Sequence, residues 1–148
     1  MFTTSASFTR PNDTTAYADE DLVANSTTAG SVSPMAFNVG AGALVRRVRL
    51  LKSVATATNA NFTLYLFASS PTVANGDNGA ISPIAAGLFA TVALDMTGSI
   101  GTDDCIIFNN LTVPLLCTGT VYGLLKAEAA YTPGALEVFT VALDFSKE

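Results

Sequence analysis

Glycine and proline break this chain every few residues, and between the breaks lie apolar stretches of about five to ten residues. Gly30, Pro34, Gly40, Gly42, Pro71, Gly76, Gly79, Pro83, Gly87, Gly98, Gly101, Pro114, Gly119, Pro133 and Gly134 set the spacing. Helices of ordinary length do not fit between such breaks, whereas short strands and turns do. The expected fold is therefore all-β: a single-domain β-sandwich, of jelly-roll or Greek-key type, with about eight strands. At 148 residues the chain is long enough for one domain with a real core. It is 49% hydrophobic and only 13% charged. That combination excludes a disordered tail and a coiled coil, both of which need a high charge content. It also suits a protein that covers part of its surface with other subunits.

Two segments carry clear alternation. In Asn61–Ala68, Phe62, Leu64 and Leu66 point one way and Thr63, Tyr65 and Phe67 the other, so both faces should be covered. In Leu136–Phe145, Phe139, Val141, Leu143 and Phe145 form the dry face, opposed by Glu137, Thr140 and Asp144 on a wet one. Gly119–Ala130 places Val121, Leu125 and Ala127 on one side and Tyr122, Leu124, Lys126 and Glu128 on the other. In Ala43–Ala55 the parity of Leu44, Val48, Leu50 and Val54 marks the core face. Weaker strand candidates are Leu22–Ala24, Met35–Val39, Leu88–Leu94, Cys105–Phe108 and Thr112–Leu116, the last demoted to an edge or a strand end by Pro114. Ser69–Ala86 reads as an exposed loop with a turn at Asp77-Asn78-Gly79, and Ser82–Phe89 admits one short helix.

Charge and chemistry narrow the function classes. The net charge is −5, against the net positive surface expected of a nucleic-acid binder. Four of the seven basic residues, Arg46, Arg47, Arg49 and Lys52, fall together and read as a solvated or subunit-facing strand edge. No apolar run is long enough for a membrane helix, and Met1–Asp13 lacks the pattern of a signal peptide. Asn-x-Ser/Thr matches at Asn12, Asn25, Asn61 and Asn110 then carry no glycosylation meaning. Cys105 and Cys117 read as free, buried thiols.

With no histidine in the chain, a Ser-His-Asp or Cys-His device cannot be built, and the expected set of catalytic residues is empty. Asp95, Asp103, Asp104, Glu128, Glu137 and Asp144 are carboxylates that glycoside hydrolysis could use, but strand ends and wet faces make solvated carboxylates the simpler expectation. Asp103-Asp104 with Asp95 fits no calcium loop, and no cofactor or metal is expected. Tyr17, Tyr65, Tyr122 and Tyr131 supply a thin aromatic platform for a sugar, in a chain without tryptophan.

Residues 8–24, FTRPNDTTAYADEDLVA, read as an extended arm entering a first strand, so the expected organisation is an arm over 1–21 and a sandwich over 22–148. Pro11 forbids helix just before it, Asn12-Asp13-Thr14-Thr15 can turn the backbone, and Tyr17 is an amphipathic anchor. This segment resembles the start of a group of small tailed-phage structural proteins. They begin with Arg-Pro, then Thr-Thr-x-Tyr, then an acidic residue and two apolar ones. The matching residues here are Arg10, Pro11, Thr14, Thr15, Tyr17, Asp21, Leu22 and Val23, while Asp19-Glu20-Asp21 stands where the resemblance implies Ala-Gly-Asp.

The group includes capsid cement (head decoration) proteins. The resemblance implies a β-sandwich on the outer surface of the virion capsid, made in the cytoplasm of the bacterial host. It would act as a homotrimer that clamps neighbouring subunits of the major capsid protein. The expected capsid or subunit contacts are Arg10, pairing with a partner carboxylate, Pro11, Tyr17 filling a partner pocket, and the arginines Arg46, Arg47 and Arg49. The alternative expectation is a carbohydrate- or receptor-binding module of a phage head fibre or tail.

Overall fold

A computed structural model describes residues 1–82, 86–99 and 105–148. They form an all-β domain with seven strands: β1 (Phe2–Thr9), β2 (Leu22–Val23), β3 (Met35–Lys52), β4 (Asn61–Phe67), β5 (Leu88–Asp95), β6 (Cys105–Ala127) and β7 (Val138–Lys147). All ladders are antiparallel, and the strand order is β1-β7-β3-β6-β4-β5, with β2 beside β6. This architecture is consistent with a β-sandwich.

Two strands are much longer than the sequence spacing implies. Met35–Val39 and Ala43–Ala55 fuse into β3, and the three candidates between Cys105 and Ala130 fuse into β6. The breakers act as bends within a strand. Gly40, Gly42 and Gly119 take positive φ and mark the shift in register where Gly40 pairs with Gly119. Glycine reaches that backbone region without the steric cost a Cβ brings. The first half of β3 (Met35–Asn38) pairs with Thr120–Gly123 of β6, and the second half (Arg47–Lys52) pairs with its Cys105–Asn110 end. β7 and β1 extend the second half, while β4 and β5 lie beside the other half of β6. The two long strands thus run through both halves of the domain.

A bulge between Val45 and Arg47 changes which residues of β3 face the core. Val45, Val48 and Leu50 are buried there, whereas Leu44, expected on the core side, is only half-buried. Alternation counts residues, and a bulge inserts one without turning the strand. Elsewhere the expected core faces hold. Phe62, Leu64 and Leu66 join Val121, Leu125, Ala127, Phe139, Val141, Leu143 and Phe145 in the main core. A second apolar cluster forms on the opposite face, where Leu22, Ala24, Phe67 and Leu124 pack with Tyr65 and Tyr122.

Residues 1–21 are not a free arm. β1 pairs with β7 from Phe2↔Phe145 to Thr9↔Val138, and Phe8 stacks on Phe139 at 5.6 Å between centroids. The segment Ser69–Ala86 is likewise not uniformly exposed: Gly76 and Asp77 are buried against Ser26 and Thr27. A Cβ on Gly76 would come within 2.2 Å of the Thr27 carbonyl, so only glycine fits there. The short helix expected over Ser82–Phe89 is not formed at its described end, where Leu88 and Phe89 open β5; residues 83–85 lie outside the described residues.

Candidate functional site

Arg10 and Tyr17 were expected to reach outward, and the structure places both inside. The Arg10 guanidinium donates to Asp77 Oδ2 at 2.8 Å, and its Nε donates to the Tyr17 hydroxyl. That hydroxyl donates to Asp77 Oδ1 at 2.6 Å, and the Ala24 N–H reaches the same oxygen at 2.8 Å. Arg10 also lies 5.0 Å over the Tyr17 ring and donates to the carbonyls of Asp13 and Gly134. Burial raises the Asp77 carboxyl, opposed by the Ala24 N–H, the Tyr17 hydroxyl and Arg10. Burial and then the Asp77 charge push the Tyr17 hydroxyl far above its ordinary value.

This network ties the crossover between β1 and β2 to the turn at Asp77 and to the Gly134 turn. The expected partner carboxylate is therefore supplied by Asp77 of the same chain, because a buried guanidinium needs a charged partner where it sits. Pro11 is half-buried, and its carbonyl accepts from Leu136 N–H at 3.2 Å. Glu20 takes φ of 75°, a backbone position that glycine favours, at the place where the resemblance implies glycine.

A second buried network closes the end of β3. Lys52, expected in a solvated cluster, is 1% exposed, and its Nζ lies 3.4 Å from Glu137 Oε1. Tyr131 donates to the same carboxylate at 2.7 Å, and Lys52 also donates to the carbonyls of Val54 and Thr56. Glu137 and Asp144 are thus not the wet-face carboxylates of the sequence reading, since both are buried and ion-paired. Asp95 is exposed and caps a 3-10 turn through Thr97. Asp103 and Asp104 lie outside the described residues. Among the described residues, no buried side-chain polar atom lacks a hydrogen-bond partner.

The arginines do share one face. Arg47 Nε and Arg49 Nη2 approach Asp144 at 2.7 and 2.8 Å from the outer side of the sheet, and Thr3 donates to the same carboxylate at 2.6 Å. Burial raises the Asp144 carboxyl, but Thr3, Arg49 and Arg47 outweigh it and bring it down to about 2. Arg46 is exposed, and its Nε donates to the neutral Ser146 hydroxyl at 2.9 Å. Directly beside it, Leu116 pairs with Leu44, and residues 111–114 of β6 bulge out between the Leu115 and Asn110 pairings. Val113 is 73% and Leu116 70% exposed. Next to them, a groove of about 200 Å³ is lined by Ala68, Phe89, Leu116, Cys117, Thr118 and Val121.

The remaining candidates fall apart. Tyr17 and Tyr131 are buried, so the four tyrosines make no common platform. Cys117 is a free buried thiol, which burial makes less acidic, while the side chain of Cys105 lies outside the description. Asp19, Glu20 and Glu128 gather three carboxylates within 4.8 Å, but Lys126 already stands among them, 2.9 Å from Glu20 and 3.0 Å from Glu128. No helix among the described residues is long and apolar enough to cross a membrane. The chain matches no known protein-family model and no curated protein.

Proposed function

We propose that this chain is a structural virion protein, a capsid cement (head decoration) protein. It binds the outer surface of a phage head and stabilises it by clamping neighbouring subunits of the major capsid protein. The observation that carries the reading is the groove at which the exposed Leu116 and Phe89 meet, with the exposed Val113 three residues before Leu116 on β6, in a domain with so few charges. Exposed apolar side chains gathered at a groove mark protein contact surfaces. The positive φ of Glu20 supports the resemblance at the one place where the residue types depart from it.

The contact surface in this reading moves from the N-terminal arm to the outer face of β3 and β6, because Arg10 and Tyr17 are committed to Asp77. A protein that binds the assembled shell but not its free subunits raises shell stability by mass action. The test adds purified protein to shells of the encoding phage that lack it and follows their heat disruption. The expected result is saturable binding and a higher disruption temperature, both lost in Val113→Asp and Leu116→Asp. Wild-type protein that leaves the shells unbound and unchanged would refute the reading.

A further inference from the structure

Asn-Gly occurs twice in this chain, at Asn75-Gly76 and Asn78-Gly79, on either side of Asp77. The pair has a chemistry of its own. The main-chain nitrogen after an asparagine can attack the side-chain amide carbon, and glycine, with no Cβ, leaves that approach open. The two copies share a sequence but not an environment. The Asn78 amide nitrogen donates to the carbonyls of Thr15 and Ala16 at 3.0 and 3.2 Å. The Gly79 N–H, which would have to attack it, donates to Gly76 O at 3.1 Å, and the Asn78 N–H donates to Leu22 O at 2.9 Å. Asn75, by contrast, is exposed, and its amide nitrogen donates to Ala80 O at 2.9 Å. The Gly76 N–H finds no acceptor among the described residues.

We propose that Asn75 is a self-modification site, which cyclises and deamidates in the folded protein while Asn78 is held back. The Gly76 nitrogen gives up its proton and forms a bond to Asn75 Cγ. The Cγ–Nδ2 bond breaks, and the side-chain nitrogen leaves as ammonia with that proton. Water then opens the cyclic imide at either carbonyl, giving aspartate or isoaspartate. Isoaspartate routes the main chain through the former side chain and lengthens it by one methylene directly before Gly76. That place has no slack. A Cβ on Gly76 would already lie 2.2 Å from the Thr27 carbonyl, and the Asp77 N–H donates to Ser26 O at 2.7 Å. The product therefore displaces the turn that holds Asp77 against Arg10 and Tyr17, and the network loosens as the protein ages.

The test holds the full chain at mildly alkaline pH, folded and, in parallel, unfolded in urea. A protease that cuts before aspartate separates the two asparagines at the Gly76–Asp77 bond, and mass spectrometry reads the exchange of NH2 for OH in each fragment. In the folded protein Asn75 should react at least about tenfold faster than Asn78, which must first open its hydrogen bonds; in urea the two should converge. The aged protein should unfold at a lower temperature than the fresh one. Asn75→Gln, whose longer side chain cyclises far more slowly, should keep its initial unfolding temperature over the same time. Asn75 unreacted while the unfolded chain reacts, Asn78 as fast as Asn75 in the folded protein, or a reacted protein with unchanged unfolding would each overturn the inference. Shells take no part in this measurement, so its outcome is separate from whether the protein decorates them.

Discussion

Asp77 shows how much one residue can carry. It sits in a turn, where aspartate is ordinary. Its two carboxylate oxygens nevertheless bind Arg10, the Tyr17 hydroxyl and the Ala24 N–H inside the protein. Asp77→Ala leaves the buried Arg10 charge with only the part-exposed Asp13 carboxylate, 3.4 Å away, and should cost about 3 kcal/mol. Tyr17→Phe keeps the ring and should cost about 1–3 kcal/mol. Urea unfolding of the two variants checks both values, and a loss below 1 kcal/mol for Asp77→Ala would contradict the role given to the network. Asp144 makes the pH dependence of stability specific. Its carboxyl titrates at about 2 when folded, against an ordinary value of 3.8 when unfolded. A depressed acid stabilises the fold above the unfolded value, and that contribution is lost as pH falls through the folded one. The loss should therefore fall between about pH 5 and pH 2 and amount to about 2 kcal/mol. Thermal unfolding over that range should show the extra drop in the wild type and not in Asp144→Asn. Sequence singled out Arg10 and Tyr17 as contacts to a partner, whereas both are spent on Asp77 of the same chain. Their partner was hidden because nothing in Asp77-Asn78-Gly79 distinguishes a turn on the surface from one pressed against Ser26 and Thr27.

Elements were legible where alternation is strong and unbroken. β4 and β7 match their expected segments and core faces, and β2 and β5 match the weaker ones closely. β1 was missed: Phe2-Thr3-Thr4-Ser5-Ala6-Ser7-Phe8-Thr9 carries little apolar weight, and its burial alternates because pairing with β7 lays one face, with Ala6 and Phe8, on the main core. The wet face expected on β7 proved occupied, since β1 and β3 bring Thr3, Arg47 and Arg49 over Asp144. β1 covers the outer edge of β7 and stacks Phe2 and Phe8 on Phe145 and Phe139. Removing Met1–Thr9 should thus lower stability by at least about 2 kcal/mol, chiefly the burial of Phe8. It should also give concentration-dependent aggregation through the bared strand edge. Calorimetry and light scattering on the truncated protein measure the two effects; a truncated form as stable and as soluble as the full chain would show β1 to be dispensable.

Across the whole molecule, composition and the spacing of breakers determined the class: short apolar stretches between glycines and prolines can bury themselves only as packed sheets. The same information determined the covered faces of β4, β6 and β7, because strand periodicity follows from backbone geometry alone. Tertiary structure decided the rest. Whether Gly40, Gly42 and Gly119 end a strand or bend it depends on a neighbouring strand that continues the ladder past them. Whether Arg10, Lys52, Glu137 and Asp144 meet water or one another depends on residues tens of positions away. Charge type and local pattern are properties of a few adjacent residues, whereas burial and pairing belong to positions that only the folded chain brings together.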